Sequence, residues 1–88
     1  MARTAEFEDL IGQYSRTICL AGCYQITGTQ KHMRCRKTAL VIGPENLIKI
    51  KSLLPIKNDS DWMVLARVKT LLSGNQSEAW IWAGDIRR

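Results

Sequence analysis

The chain has 88 residues, of which 45% are hydrophobic, and a formal charge of +5, because thirteen Lys and Arg outnumber eight Asp and Glu. This length favours one domain over residues 1–88, and the apolar content excludes an intrinsically disordered chain. Acids near the N-terminus and the lack of an apolar run approaching the ~20 residues of a membrane span predict a cytoplasmic protein without a membrane partner.

The first predicted element is a helix over residues 4–24. Thr4 is a suitable N-cap, and acids fill the first turn, where they complement the helix dipole. Apolar residues recur at intervals of three or four, which places Phe7, Ile11, Tyr14, Ile18 and Ala21 on one helical stripe. We expect this stripe to pack inside the monomer; the alternative is a homodimer through Phe7, Ile11, Tyr14 and Ile18.

The segment after Gly28 has two interpretations. Thr29 can cap a second helix over residues 29–42, or residues 37–42 can form a short buried strand. Pro44 then predicts the start of a helix over residues 44–54. In that helix, one face is shared by Leu47, Ile50 and Leu54.

Capping residues at positions 58–61 predict a further helix over residues 62–73, apolar on nearly all sides and therefore central to the core. In the tail SEAWIWAGDIRR, small and bulky residues alternate, which suits a strand over residues 79–83, although a helical turn capped by Ser77 is also compatible. These elements predict a mainly α-helical domain with a Trp-rich tail. The alternative is an α+β fold with a small sheet from residues 37–42 and 79–83.

The positive charge is concentrated in residues 29–57, which sum to +6 and contain the segment TQKHMRCRK. Clustered Lys and Arg bind phosphate backbones through counterion release, without a base-reading motif. We therefore predict a small regulatory nucleic-acid-binding protein that contacts chiefly the phosphates of DNA or RNA. The predicted contact residues are Lys31, His32, Arg34, Arg36, Lys37, Lys49 and Lys51.

The cysteines Cys19, Cys23 and Cys35 are expected to be reduced and to behave as small hydrophobic residues. With His32 they form C-x3-C-x8-H-x2-C, which has the residue types of a zinc site but not the usual finger or knuckle spacing, so we predict no metal ion. The sequence contains no phosphate-cradling Gly loop, nucleophile elbow or Walker motif. It therefore predicts neither an enzyme nor a cofactor.

A second functional hypothesis comes from the tail. Trp80 and Trp82 alternate with Ile81, so a strand whose Ile81 enters the core would leave both indoles exposed beside the terminal arginines. Trp together with Arg is the composition of a protein-binding hot spot. The alternative function is therefore a protein-interaction module, a small inhibitor or adaptor with an acidic protein partner. Its predicted contact residues are Trp80, Trp82, Arg87 and Arg88.

Overall fold

The strands of the described residues form one antiparallel β-sheet. The computed structural model describes residues 4–29, 32–58, 61–71 and 77–88. The sheet has six strands in the order β1-β4-β5-β6-β2-β3. The strands are β1 (Tyr14–Ser15), β2 (Ala21–Thr27), β3 (Arg34–Ile42), β4 (Ile48–Asn58), β5 (Asp61–Thr70) and β6 (Glu78–Trp82).

Helical structure in the described residues is limited to three 3₁₀ helices of three residues each, at Thr4–Glu6, Glu8–Leu10 and Ala83–Asp85. The predicted mainly α-helical fold is therefore wrong. The α+β alternative is wrong for the same reason, although β3 contains residues 37–42 and β6 contains residues 79–82. These two strands are not neighbours, because β2 lies between them.

The backbone of Gly12 is incompatible with the predicted N-terminal helix. Its φ of +84° lies in the left-handed region, which is unavailable to the interior of a right-handed helix. The Gly12 N–H donates to the Ile50 carbonyl (2.7 Å), and the Ile50 N–H donates to the Gln13 carbonyl (3.0 Å), so the chain here joins the edge of β4. Tertiary hydrogen bonding thus replaces the local bonds of a helix.

The five residues of the predicted apolar stripe lie in turns, a bend and strands, and they do not share one buried face. Phe7 is half-buried between two 3₁₀ helices, whereas Ile11, Tyr14 and Ile18 are exposed, and only Ala21 is buried. Residues 4–29 therefore contain no helical seam. The predicted homodimer loses that structural basis and stays a prediction.

β4 replaces the helix predicted over residues 44–54. Ile48 and Ile50 are fully buried, while Lys49 and Lys51 lie on the other face, as the two-residue period of a strand requires. Pro55 is tolerated within β4 because β1 pairs only with its first two residues. Beside Pro55, no strand in the described part of the chain needs a hydrogen bond from β4 on that edge.

β5 replaces the helix predicted over residues 62–73, whose last two positions lie outside the described residues. Its inner face contributes Val64, Ala66 and Val68 to the core. Leu65 lies on the opposite face and is also fully buried. Burial on both faces explains why this segment is apolar nearly all round, a pattern that does not distinguish a core strand from a core helix.

The strand pairings close into a ring. β1 pairs with β4, β4 with β5 and β5 with β6. After β6, Ile86 forms a bridge with Thr17, and the Arg87 N–H donates to the Arg16 carbonyl (2.7 Å). Because these partners directly follow β1, the C-terminal residues complete the ring, and the β2–β3 hairpin is attached outside it through the pairing of β2 with β6.

Candidate interaction surface

The two faces of β6 separate its apolar side chains. Ile81 has no exposed surface and belongs to the core. Trp80 and Trp82 lie on the opposite, outer face, where Trp80 is half-buried and Trp82 is 47% exposed. The alternation expected of a strand therefore places both indoles on the outside of the sheet.

A row of cross-strand pairs runs across this outer face. Trp80 lies opposite Arg67 of β5 on one side and opposite Tyr24 of β2 on the other. Tyr24 in turn lies opposite Lys37 of β3. Because directly opposed residues project from the same face, the sheet aligns cation, indole, phenol and cation over four strands. We call Tyr24, Lys37, Arg67, Trp80 and Trp82 the Trp face.

Trp82 is held in place by its surroundings. It lies opposite Leu65 of β5, which is completely buried although it is on the outer face, so a neighbouring side chain must shield Leu65 from solvent. On its other side the indole contacts Gly84, since a Cβ built on that glycine would lie 3.1 Å from Trp82 Cε2. An aromatic side chain that is positioned before binding loses little conformational entropy when a partner covers it.

The two cations of the Trp face have different environments. Arg67 forms an ion pair with Glu78 and keeps half of its side chain exposed. Lys37 lies across Gly22, where a Cβ would come within 2.9 Å of its Cε. Among the described residues, no acid forms an ion pair with Lys37. Its ammonium group is therefore available to an acidic partner.

Of the two terminal arginines predicted to contact a partner, Arg88 is engaged elsewhere. Arg88 donates to Asp9 (2.7 Å), and its guanidinium lies 5.7 Å from the centre of the Phe7 ring. The main chain of Arg87 is paired with Arg16 through the ring closure. Arg88 is thus engaged with the N-terminal segment rather than with Trp80 or Trp82.

The predicted nucleic-acid contacts are divided among different parts of the fold. Arg34 and Arg36 are exposed on one face of β3, and Lys37 lies on the other. Lys49 and Lys51 are on β4, which is separated from β3 by three strands of the sheet, and Lys49 Nζ lies 5.5 Å from the centre of the Tyr14 ring. His32 is exposed in the β2–β3 connection, and Lys31 lies outside the described residues.

Sequence reasoning missed several members of the surface. Tyr24 and Arg67 were assigned to helices, and their alignment with Trp80 depends on strand register, which has no local signal in the sequence. Leu40 and Val41, which one of the two alternatives for this segment placed in a buried strand, are 69% and 57% exposed on β3. The exposure of Leu40 and Val41 can be recognised only once β3 is known to lie at the edge of the sheet.

The cysteines are free thiols in three environments. Cys23 is buried in β2, Cys35 is half-buried in β3 and Cys19 is exposed before β2. Burial raises the pKa of the Cys23 and Cys35 thiols. Local desolvation and the carboxylate of Asp85, which accepts a hydrogen bond from the thiol, raise the pKa of Cys19. Within the described residues, no group of three or more His, Cys, Asp and Glu side chains is arranged to hold a metal ion.

No helix in the described part of the chain is both long enough and apolar enough to cross a membrane. No protein-family model, curated protein or solved structure matches the chain.

Proposed function

We propose that the protein is a protein-interaction module that binds an acidic protein partner through the Trp face. The observation that carries this proposal is the division of β6, in which Ile81 fills the core and leaves Trp80 and Trp82 on the outer face, with Trp80 between Arg67 and Tyr24. Trp, Tyr and Arg are the residue types enriched in binding hot spots. A protein partner is therefore favoured over a small molecule, which would need a concave site.

The charge distribution supports an acidic partner. The chain carries +5, and Lys37 has no ion pair among the described residues. Cations at an interface accelerate association with a partner of opposite sign and disfavour partners of the same sign. The proposed role is non-catalytic, as expected for an adaptor or inhibitor that occludes a surface. We place it in the cytoplasm, where the free thiols would stay reduced.

The test compares two tryptophans of similar exposure. Trp82 is 47% exposed on the Trp face, and Trp62 is 50% exposed at the far end of β5. Wild-type, Trp82→Ala and Trp62→Ala proteins, each checked for folding by circular dichroism, serve as baits in extracts of the source organism. Captured proteins are quantified by mass spectrometry after nuclease treatment, and the affinity of the purified partner is then measured by calorimetry.

We expect an acidic partner that Trp62→Ala retains and Trp82→Ala loses. Truncation of a hot-spot tryptophan costs at least about 2 kcal/mol, so the affinity should fall about 30-fold. Equal binding by both variants would show that the Trp face is not the interface. Loss of a self-associated dimer in Trp82→Ala, detected by sedimentation, would assign the surface to a second copy instead.

Nucleic-acid binding is a second candidate function. It is favoured by Arg34 and Arg36, which are exposed on one face of β3 and form no ion pair among the described residues. Fluorescence anisotropy with labelled DNA and RNA at two salt concentrations tests it, since phosphate contacts weaken steeply with salt. Arg34→Glu with Arg36→Glu should abolish such binding, and Lys57→Glu, at an exposed position on β4, is the matched charge control.

A further inference from the structure

β3 is an unpaired edge of the sheet. It stands last in the strand order and pairs only with β2 in the described structure. An edge strand presents unpaired N–H and C=O groups, which can accept another strand. At the other end of the order, β1 and the residues after it are bonded to β4 and to the C-terminal residues, so that edge is occupied.

A bulge divides β3 into two halves. Tyr24 lies opposite Lys37 and Gly22 opposite Val41, so three residues of β3 face the single residue Cys23. The Thr38 hydroxyl fixes this bulge by donating to the Cys23 carbonyl (3.0 Å) and accepting from the Leu40 N–H (3.2 Å). The free edge therefore consists of residues 34–37 before the bulge and residues 41–42 after it.

The two halves differ in chemistry. Before the bulge, Arg34, Arg36 and Lys37 supply three exposed cations. Leu40, the last residue of the bulge, and Val41, the first residue after it, are exposed apolar residues. A matching strand would carry acids at one end and an apolar residue at the other.

A cavity of about 220 Å³ adjoins the apolar half. Its apolar wall includes Cys23, Leu40, Ile42 and Ala79. The polar lining residues are Asn46, Thr70, Ser77 and Glu78, of which Thr70 and Ser77 bond each other, with their hydroxyl oxygens 3.1 Å apart. A cavity of about 150 Å³ lined by apolar side chains accepts benzene, so this space is large enough for one Leu or Phe side chain.

The cavity and two of the cations lie on the same side of the hairpin. Cys23 lines the cavity, and Gln25, two residues along β2, lies opposite Arg36. Alternate residues share a face, so Arg36 and Arg34 project from the face that carries the cavity. An added strand could therefore place an apolar anchor and its acids on one face.

We infer that an extended acidic segment of the partner adds to β3 as an antiparallel strand and inserts an apolar side chain into the cavity beside Leu40. This inference rests on the proposed function, since it takes the partner to be an acidic protein. Antiparallel addition continues the pattern of the sheet. A second copy is disfavoured as the occupant, because two chains of +5 repel each other.

The probe is a synthetic peptide with an anchor Phe followed by Glu two and four residues later, because the bulge adds two residues to β3 within the four and six positions that separate Leu40 from Arg36 and Arg34. A peptide with the reversed sequence has the same composition and charge and is the control for simple ionic attraction. Binding is measured by fluorescence anisotropy. We expect the forward peptide to bind at least tenfold more tightly than the reversed one.

Two further comparisons separate strand addition from surface binding. Backbone N-methylation at one alternate set of peptide positions should abolish binding, and methylation at the other set should not, because only every second amide faces β3. Ala79→Leu, which fills the cavity, should weaken the forward peptide at least tenfold, and Ala5→Leu, at an exposed position in the first 3₁₀ helix, should not. The methylated peptides use the wild-type chain, so their result is independent of the folding of Ala79→Leu.

Equal affinities of the forward and reversed peptides, or equal effects of the two methylation patterns, would overturn the inference. Displacement of the forward peptide by single-stranded DNA at equimolar concentration would assign this edge to nucleic acid and also overturn it. A partner that needs Trp82 while no peptide binds would leave the proposed function standing and remove strand addition. Peptide binding with the expected order and methylation pattern supports strand addition even if no Trp82-dependent partner is captured.

Discussion

The burial of Ile81 can be tested by the substitution Ile81→Ala. Ile81 has no exposed surface and lies between Ala66 of β5 and Cys23 of β2. Removal of three carbon groups loses about 2.4 kcal/mol of transfer free energy, at about 0.8 kcal/mol for each. Its small neighbours cannot fill the space, so the cavity should raise the total cost to about 4 kcal/mol, within the range of about 2–5 kcal/mol for such truncations.

The matched control is Ile18→Ala. Ile18 is the same residue type but is 60% exposed, so its truncation should change the free energy of unfolding by only about 0.5 kcal/mol. Both variants are compared with wild type by urea unfolding monitored by circular dichroism, with the free energy taken at a constant slope against urea concentration.

A loss below about 1 kcal/mol for Ile81→Ala, close to that of its control, would refute the orientation of β6. A larger loss for Trp82→Ala than for Ile81→Ala would refute it as well, because the tryptophans would then face the core. The Trp face depends on this orientation and would be withdrawn in either case.

Two other predictions concern the backbone and a thiol. Gly12→Ala, at φ +84° with open space around the added Cβ, should lower the free energy of unfolding in urea by about 1–2 kcal/mol. Gly28→Ala, at φ +97°, should lower it by more, because the added Cβ would collide with the His32 carbonyl. Equal losses of stability in the two variants would contradict the described approach of His32 to Gly28. Asp85→Asn should increase the rate at which iodoacetamide alkylates Cys19 at pH 8. The Asp85 carboxylate raises the pKa of the thiol, so its removal increases the fraction of thiolate. An unchanged alkylation rate would contradict the contact between Asp85 and Cys19.

Part of the candidate surface was predictable from the sequence. The alternation of Trp80, Ile81 and Trp82 is local information, since a strand needs only a two-residue period to divide its faces. The concentration of cations in residues 29–57 is equally a property of the sequence. One of the two alternatives proposed strands over residues 37–42 and 79–83; residues 37–42 and 79–82 do lie in strands, but these strands are not direct neighbours.

The helices were predicted because short apolar patterns fit both secondary structures. The spacing from Phe7 to Ile18 matches a helical stripe, but it also spans Gly12, whose left-handed backbone and hydrogen bond to β4 are incompatible with a continuous helix. Residues 48–51 alternate Ile and Lys, which is the period of a strand, whereas the helix predicted over residues 44–54 was based on Pro44 as a helix start. Tertiary pairing then decided in favour of the strand.

By itself the sequence determined which residue types the protein can bury or expose: the apolar side chains available for one core, the charge of the middle segment and the separation of two indoles by an isoleucine. The tertiary structure alone decided that Arg67, Trp80, Tyr24 and Lys37 lie in one row and that β3 is left at the edge. The physical reason is that strand order and register are set by hydrogen bonds and packing between segments distant in the chain, and a periodicity within one segment contains no information about its partner.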